Sequence, residues 1–149
     1  MTNNIKIYTE VEGKLVSNFT MREFQNPIGW VILHEKVPWA LEMTRAAIND
    51  RYPDSDYIIN VTDCTRTQAQ LERLAARLGW VDEGGLVARK SYHLDYLGGI
   101  AVDFKAYSRA WEKYMLAHEL ARVASLYFDW VKWYPDGHVH GDFRTLVNF

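Results

Sequence analysis

The chain is poor in cysteine and has no surplus of basic residues. Its one cysteine, Cys64, cannot form an internal disulfide, and it excludes a structural zinc site built from several cysteines. The 17 Lys and Arg residues stand against 19 Asp and Glu, which gives a net charge of −2. Nucleic acids and anionic membranes attract basic surfaces, so neither is expected as a partner.

Long apolar runs are also missing. The first ten residues do not contain the apolar segment of a secretory signal, and no later stretch approaches the length that spans a membrane. We therefore expect a protein that is cytoplasmic as synthesised.

What is present is the composition of a globular protein. The chain has 149 residues, of which 48% are hydrophobic and 24% charged, and this predicts one domain over 1–149 with a sizeable core. We expect a monomer. Strand and helix patterns alternate along the chain, which favours an α+β fold, an antiparallel sheet with helices packed on one face. The predicted elements are a hairpin at 5–16, a short helix from 20 to 26, helices at 38–51, 66–78 and 109–127, the last capped by Ser108, and strands at 57–61, 100–104, 130–134 and 138–143.

The last predicted strand carries an unusual set of polar residues. His138, His140 and Asp142 alternate with Val139 and Gly141, and in a strand every second side chain lies on the same face. This predicts one face of the strand rich in metal-ligating side chains.

A second polar position lies inside an apolar strand. Asp103 follows Ile100-Ala101-Val102, and a buried carboxylate needs a basic partner, hydrogen bonds or a metal ion. His93 precedes it by ten residues. His93, Asp103 and one of His138 and His140 would supply two imidazoles and one carboxylate, a set that suits a catalytic zinc with an open position for water. The alternation alone does not decide between His138 and His140. The remaining histidines, His34 and His118, and the single cysteine are predicted to be structural.

Several short motifs resemble a known family, the D-alanyl-D-alanine carboxypeptidase and endopeptidase zinc peptidases, which share their fold with the hedgehog signalling domain. The motifs follow the family's order along nearly the whole chain. They are Asn18 to Phe24, Thr65-Arg66-Thr67, Ser91-x-His93, Gly99-x-Ala101-x-Asp103 and His138-x-His140.

The resemblance implies a role for each motif. Zinc would be bound by His93, Asp103 and His140, and Arg66 would bind a substrate carboxylate or the developing oxyanion. His138 would lie near the metal as a hydrogen-bonding partner. The implied activity is zinc-dependent hydrolysis of an amide bond in peptidoglycan stem peptides, by a carboxypeptidase or an endopeptidase, and release to the cell wall during phage lysis fits the missing signal.

The chain departs from the family pattern at two places. Five residues separate His93 from Gly99 where the family usually has two, so 95–97 must bulge outward. The family's catalytic acid usually lies three positions before the last ligand, where this chain has Gly137. Asp136 is therefore the candidate general base.

Other residues near the motifs have supporting roles. Asp142 is the reserve for the base or a partner that orients a histidine. Ser91 and Tyr92 are expected to hold the site or contact substrate.

Two other functions remain open. The first is a non-catalytic zinc-binding module on the same fold, which the insertion and the shifted acid favour. The second is a metal phosphoesterase or nuclease that uses His138, His140 and Asp142, which the missing basic patch disfavours.

Overall fold

The structure is a computed structural model that describes residues 4–148. It is a mixed α+β structure with antiparallel sheets, as predicted. The strands are β1 (Lys6–Val11), β2 (Lys14–Thr20), β3 (Tyr57–Asp63), β4 (Ala101–Ser108), β5 (Lys113–Tyr114), β6 (Trp130–Trp133) and β7 (Val139–Asp142), and the helices are α1 (Lys36–Arg51), α2 (Gln68–Leu78) and α3 (Ala117–Ala124).

The larger sheet has the strand order β3-β4-β7-β6, with β5 paired to β4, while β1 and β2 form a separate hairpin. Alternation along the strands gives the larger sheet two different faces. Val102 and Phe104 of β4 and Val139 of β7 are fully buried in the main hydrophobic cluster. Asp103, between Val102 and Phe104, and His140, next to Val139, project from the opposite face of the sheet.

Two helices cover the apolar face. Leu41 and Ile48 of α1 and Leu120 of α3 are fully buried in the same cluster as the strand residues. Gly141 of β7 lies under this layer, and a Cβ atom there would approach the Phe128 ring to 2.8 Å. Glycine is therefore the residue that lets Phe128 lie flat against the sheet.

The second helix does not share that core. Leu71 and Ala75 of α2 pack with Val87 and Leu94 in a separate hydrophobic cluster. The helix starts at Gln68 with Thr67 as its N-cap, so Arg66 lies outside it. The predicted packing of helices on one face of the sheet therefore describes α1 and α3, whereas α2 lies beside the loop that carries His93.

The predicted long helix at 109–127 is wrong. β4 continues to Ser108, the chain turns through Glu112 with φ of 53°, and β5 pairs back onto β4 before α3 begins at Ala117. The Ser108 hydroxyl oxygen does accept a hydrogen bond from the Trp111 N–H, at 3.0 Å. This hydrogen bond, which would cap a helix, instead closes a turn. Trp111 is held in that turn by its edge-on contact with Tyr57. No helix within residues 4–148 is long and apolar enough to cross a membrane.

Candidate metal centre

Three buried side chains meet on the polar face of the larger sheet. Nε2 of His93, Oδ1 of Asp103 and Nδ1 of His140 lie 3.0 Å from one another in each pair. Each residue offers one donor atom to a common point, so the group can hold a metal ion. The expected convergence of His93, Asp103 and His140 is therefore present.

Strand pairing fixes two of these residues. Asp103 of β4 and His140 of β7 are directly opposite each other in the antiparallel register. Side chains of such a pair project from the same face, a few ångströms apart. The alternation of both strands thus brings the carboxylate and the imidazole together without a special loop.

The third residue, His93, is held by its loop. The Arg66 N–H donates to the His93 carbonyl oxygen at 2.7 Å, and the Asp95 N–H donates to the Arg66 carbonyl oxygen at 2.8 Å. The Ser91 hydroxyl oxygen accepts from the His93 N–H at 3.2 Å. Ser91 thus shapes the backbone at His93, which agrees with a role in holding the site.

The residues inserted after His93 form a separate turn. Asp95–Leu97 is one turn of 3-10 helix, in which Tyr96 is exposed while Leu97 packs against the hydrophobic clusters. Gly99 follows with φ of +73°, and a Cβ atom there would lie 2.2 Å from the carbonyl oxygen of Ile32. Only glycine allows this close approach, which returns the chain to the start of β4.

Each histidine of the group is oriented by its second ring nitrogen. Nδ1 of His93 contacts the carbonyl oxygen of Cys64, and Nε2 of His140 lies 2.7 Å from Oδ2 of Asp142. Such partners fix the ring and turn the other nitrogen toward a metal. The buried Cys64 therefore contributes its backbone to the site, while its thiol donates to the Phe24 carbonyl oxygen.

Asp142 continues this chain of contacts to the cleft wall. It is fully buried and accepts hydrogen bonds from the Arg144 side chain, Nε at 2.9 Å and Nη2 at 2.7 Å. The Arg144 guanidinium lies over the rings of Tyr92 and Trp130, at 4.1 and 3.8 Å from their centroids. Asp142 is thus placed to orient His140, as one of its two predicted roles requires.

Charges within the group oppose the effect of burial. Burial raises the pKa of the Asp103 carboxyl, but hydrogen bonds with His140 and His93 outweigh it and hold that pKa well below its usual range. Burial lowers the pKa of His140, yet contacts with Asp103 and Asp142 outweigh it and raise that pKa above its usual value. The site therefore favours an ionised Asp103.

His138 and Asp136 form a pair beside the three donors. Nδ1 of His138 lies 2.5 Å from Oδ1 of Asp136, and its Nε2 lies 3.8 Å from Oδ2 of Asp103. The His138 ring stacks on Tyr134, with centroids 4.3 Å apart and planes 8° from parallel. Asp136 itself is exposed, with 65% of its side chain accessible, and the His138 ring lies between it and Asp103.

Arg66 lies on the β3 side of the three donors, because it pairs with Asp63 at the end of that strand. Its guanidinium forms an ion pair with Asp63, and its side chain lines the same cleft as His93 and His140. That cleft has a volume of about 520 Å³. One part of its wall consists of apolar residues of α2 and the following loop, including Leu74, Leu78 and Leu86.

Comparison of the chain with protein-family models, with curated proteins and with solved structures found no match. The chemistry of the centre therefore follows from its own geometry.

Several cleft residues were not predicted from the sequence, among them Trp130, Lys132, Tyr134 and Arg144. The signal for two of them was present in the hairpin: Trp130 and Lys132 pair with Asp142 and His140 across β6 and β7. Once the turn at 135–137 fixes the register of the hairpin, both residues must lie on the polar face.

Proposed function

We propose that the protein is a zinc-dependent peptidase that hydrolyses an amide bond of peptidoglycan stem peptides, as a carboxypeptidase or an endopeptidase. The observation that carries the proposal is the meeting of His93, Asp103 and His140 in the wall of an open cleft. The substrate class is supported by the resemblance of the motifs around these residues to the D-alanyl-D-alanine peptidase family.

The donor set fits zinc better than the common oxygen-binding cations. Calcium and magnesium prefer oxygen ligands, whereas zinc takes histidine nitrogen and carboxylate oxygen at about 2.0–2.2 Å. Tetrahedral ligands at those distances lie roughly 3.3 Å apart, and the three donors of the centre are 3.0 Å apart. Three protein ligands leave one position open, as in catalytic zinc sites.

A zinc ion bound by these residues would polarise the scissile carbonyl and lower the pKa of a water molecule toward neutrality. The chain must then move a proton. The pair of Asp136 and His138 suits this role, because Asp136 fixes the His138 ring with Nε2 toward the ligands. His138 Nε2 would accept the proton of the attacking water and return it to the leaving amine.

This geometry changes the role that we assign to Asp136. We infer that it acts through His138 as a positioning residue, and that His138 is the proton carrier. Hydrogen bonds from the His138 N–H and ring outweigh the effect of burial and lower the pKa of Asp136, so that its carboxylate is ionised at neutral pH. Arg66, on the β3 side of the cleft, would meet a negative charge of the substrate.

The decisive experiment is mass spectrometry of muropeptides incubated with the zinc-loaded wild type, with chelated protein and with His140→Ala. We expect cleavage only by the wild type. The matched control is His118→Ala, because His118 is exposed and contacts Trp133 rather than the three donors. Unchanged muropeptides after incubation with folded, zinc-loaded wild type would contradict the proposal.

The non-catalytic module is the second candidate, because the shifted acid Asp136 does not line the cleft. It predicts one zinc per chain and no hydrolysis. The peptidase predicts instead that His138→Ala lowers kcat by a factor of about 10² to 10⁴ while zinc remains bound. Asp136→Asn should lower kcat less, because it removes only the group that orients the ring.

A further inference from the structure

A row of polar residues crosses the larger sheet on its cleft face. In the strand register Asp63 is opposite Asp103, Asp103 is opposite His140, and His140 is opposite Lys132. Residues paired in this way project from one face, and four neighbouring strands span about 14 Å. The row places Lys132 on the β6 side of the metal ligands and the pair of Asp63 and Arg66 on the β3 side.

The positive charge of Lys132 has no acidic partner within residues 4–148. Its Nζ lies 5.0 Å from the centroid of the Tyr134 ring, and no carboxylate of the described chain lies within ion-pair distance. The acids nearby have other partners, since Asp142 pairs with Arg144 and Asp136 with His138. Lys132 is therefore an exposed cation in the cleft wall whose charge is not neutralised by a carboxylate of the described residues.

The cleft wall carries more cations than acids. Arg66, Lys90, Lys132 and Arg144 line it, and Asp103 is its only acidic residue among those described. Arg66 pairs with Asp63 and Arg144 pairs with Asp142, so neither arginine adds a net charge to the cleft. Lys132 has no such acid, and a cation placed in this way attracts a ligand of the opposite charge.

We propose that Lys132 is an anion-binding residue that meets a carboxylate of the substrate on the β6 side of the metal ligands. This inference rests on the proposed function and refines its substrate class. With Arg66 on the β3 side, the preferred substrate is a peptide that carries a carboxylate on each side of the bond that is cut. An ammonium group on a flexible stem can follow such a carboxylate without the fixed geometry that arginine requires.

The test uses two stem peptides that differ only in one carboxylate next to the scissile bond, the one that we assign to Lys132. This carboxylate is free in one peptide and amidated in the other. Zinc-loaded wild type and Lys132→Met are compared on both peptides, and Lys14→Met, an exposed lysine of β2 outside the cleft, is the matched control. We expect Lys132→Met to raise KM for the free-carboxylate peptide about tenfold, the loss of one partly exposed charged contact, with kcat little changed. KM for the amidated peptide should not change.

The outcomes separate the two proposals. Equal KM values of wild type and Lys132→Met on the free-carboxylate peptide, or an equal rise on both peptides, would overturn the Lys132 inference and leave the peptidase intact. If neither peptide is cut, NMR titration of the zinc-loaded proteins gives the dissociation constants instead. Weaker binding of the free-carboxylate peptide to Lys132→Met alone would then support the anion site while the peptidase proposal fails.

Discussion

The two faces of strands β4 and β7 differ in what their side chains contact. On one face Phe104 and Val139 pack against α1 and α3 and are fully buried. On the other face Asp103 and His140 are buried as well, yet each contacts nitrogen or oxygen atoms of its neighbours. Residues adjacent in sequence thus belong to two different layers, one held by packing and one by hydrogen bonds and charge.

The comparison predicts that stability and the proposed metal binding are separable along a single strand. A side chain removed from the apolar layer takes away buried surface and leaves a cavity. A side chain removed from the polar layer takes away a donor atom and leaves the helices in place. Four predictions test this separation.

The largest expected effect lies on the apolar face. Phe104→Ala should lower the free energy of unfolding by about 3–5 kcal/mol, because Phe104 is fully buried and stacked on Phe128 at 5.7 Å. Urea unfolding of the metal-free protein measures it. The folded variant should still bind one zinc with its affinity little changed, and loss of zinc at unaltered stability would break the comparison.

The neighbouring residue should behave in the opposite way. Asp103→Ala removes one of the three donor atoms, so zinc affinity should fall by more than about a hundredfold, beyond the usual cost of losing a partner of a ligand. Competition with a chromophoric chelator measures it. Asp56→Ala is the matched control, because Asp56 is an exposed acid paired with Arg109, and an equal loss in that variant would refute the assignment.

A smaller effect is expected at Asp142, which contacts the proposed ligand His140. Asp142→Asn keeps the size of the side chain but removes the charge that orients His140, which should weaken zinc binding by about ten- to a hundredfold. Isothermal titration calorimetry measures the change. Binding as tight as that of the wild type would show that the contact with Asp142 does not tune the ligand.

The smallest effect is a pH dependence. Zinc would bind the deprotonated nitrogen of His140, and although burial lowers the pKa of that ring, Asp103 and Asp142 outweigh it and raise the pKa. Zinc affinity should therefore fall by about tenfold per pH unit once the pH drops below that raised pKa. In Asp142→Asn the pKa of His140 is lower, so the decline should begin at a lower pH. Calorimetry at several pH values in buffers of different ionisation enthalpy counts the protons released.

Much of the fold and the shared face of Asp103 and His140 could be predicted from local patterns, whereas the choice of His140 over His138 came only from the resemblance of the motifs to a known family. The period of two along a strand predicts which side chains of 138–143 share a face and sets Asp103 apart from its apolar neighbours. Antiparallel pairing then brings Asp103 and His140 to the same face. The turn at Glu112 could not be predicted in this way. Ser108 followed by apolar residues is a helix-start pattern, and the tertiary contacts of Trp111 with Tyr52 and Tyr57 override it.

The surroundings of the donors were harder to predict for a different reason. Lys132 and Arg144 enter the cleft only through the register of β6 against β7 and through the buried acid Asp142, and neither residue belongs to a recognisable motif. The roles of Asp136 and His138 were also hard to predict. The sequence favours Asp136 as the general base, whereas in the structure Asp136 contacts the His138 ring, and that ring faces Asp103.

The three donors come from distant parts of a chain that has only one cysteine. His93 belongs to a loop, Asp103 to β4 and His140 to β7, so an ion bound to all three would be a cross-link over closed loops of 10 and 37 residues. The ion would bind the folded chain and leave the unfolded one, so its concentration would set the melting temperature. In a protein without disulfides the metal would then serve as a reversible cross-link. A chelator would remove this cross-link, as a reducing agent removes a disulfide.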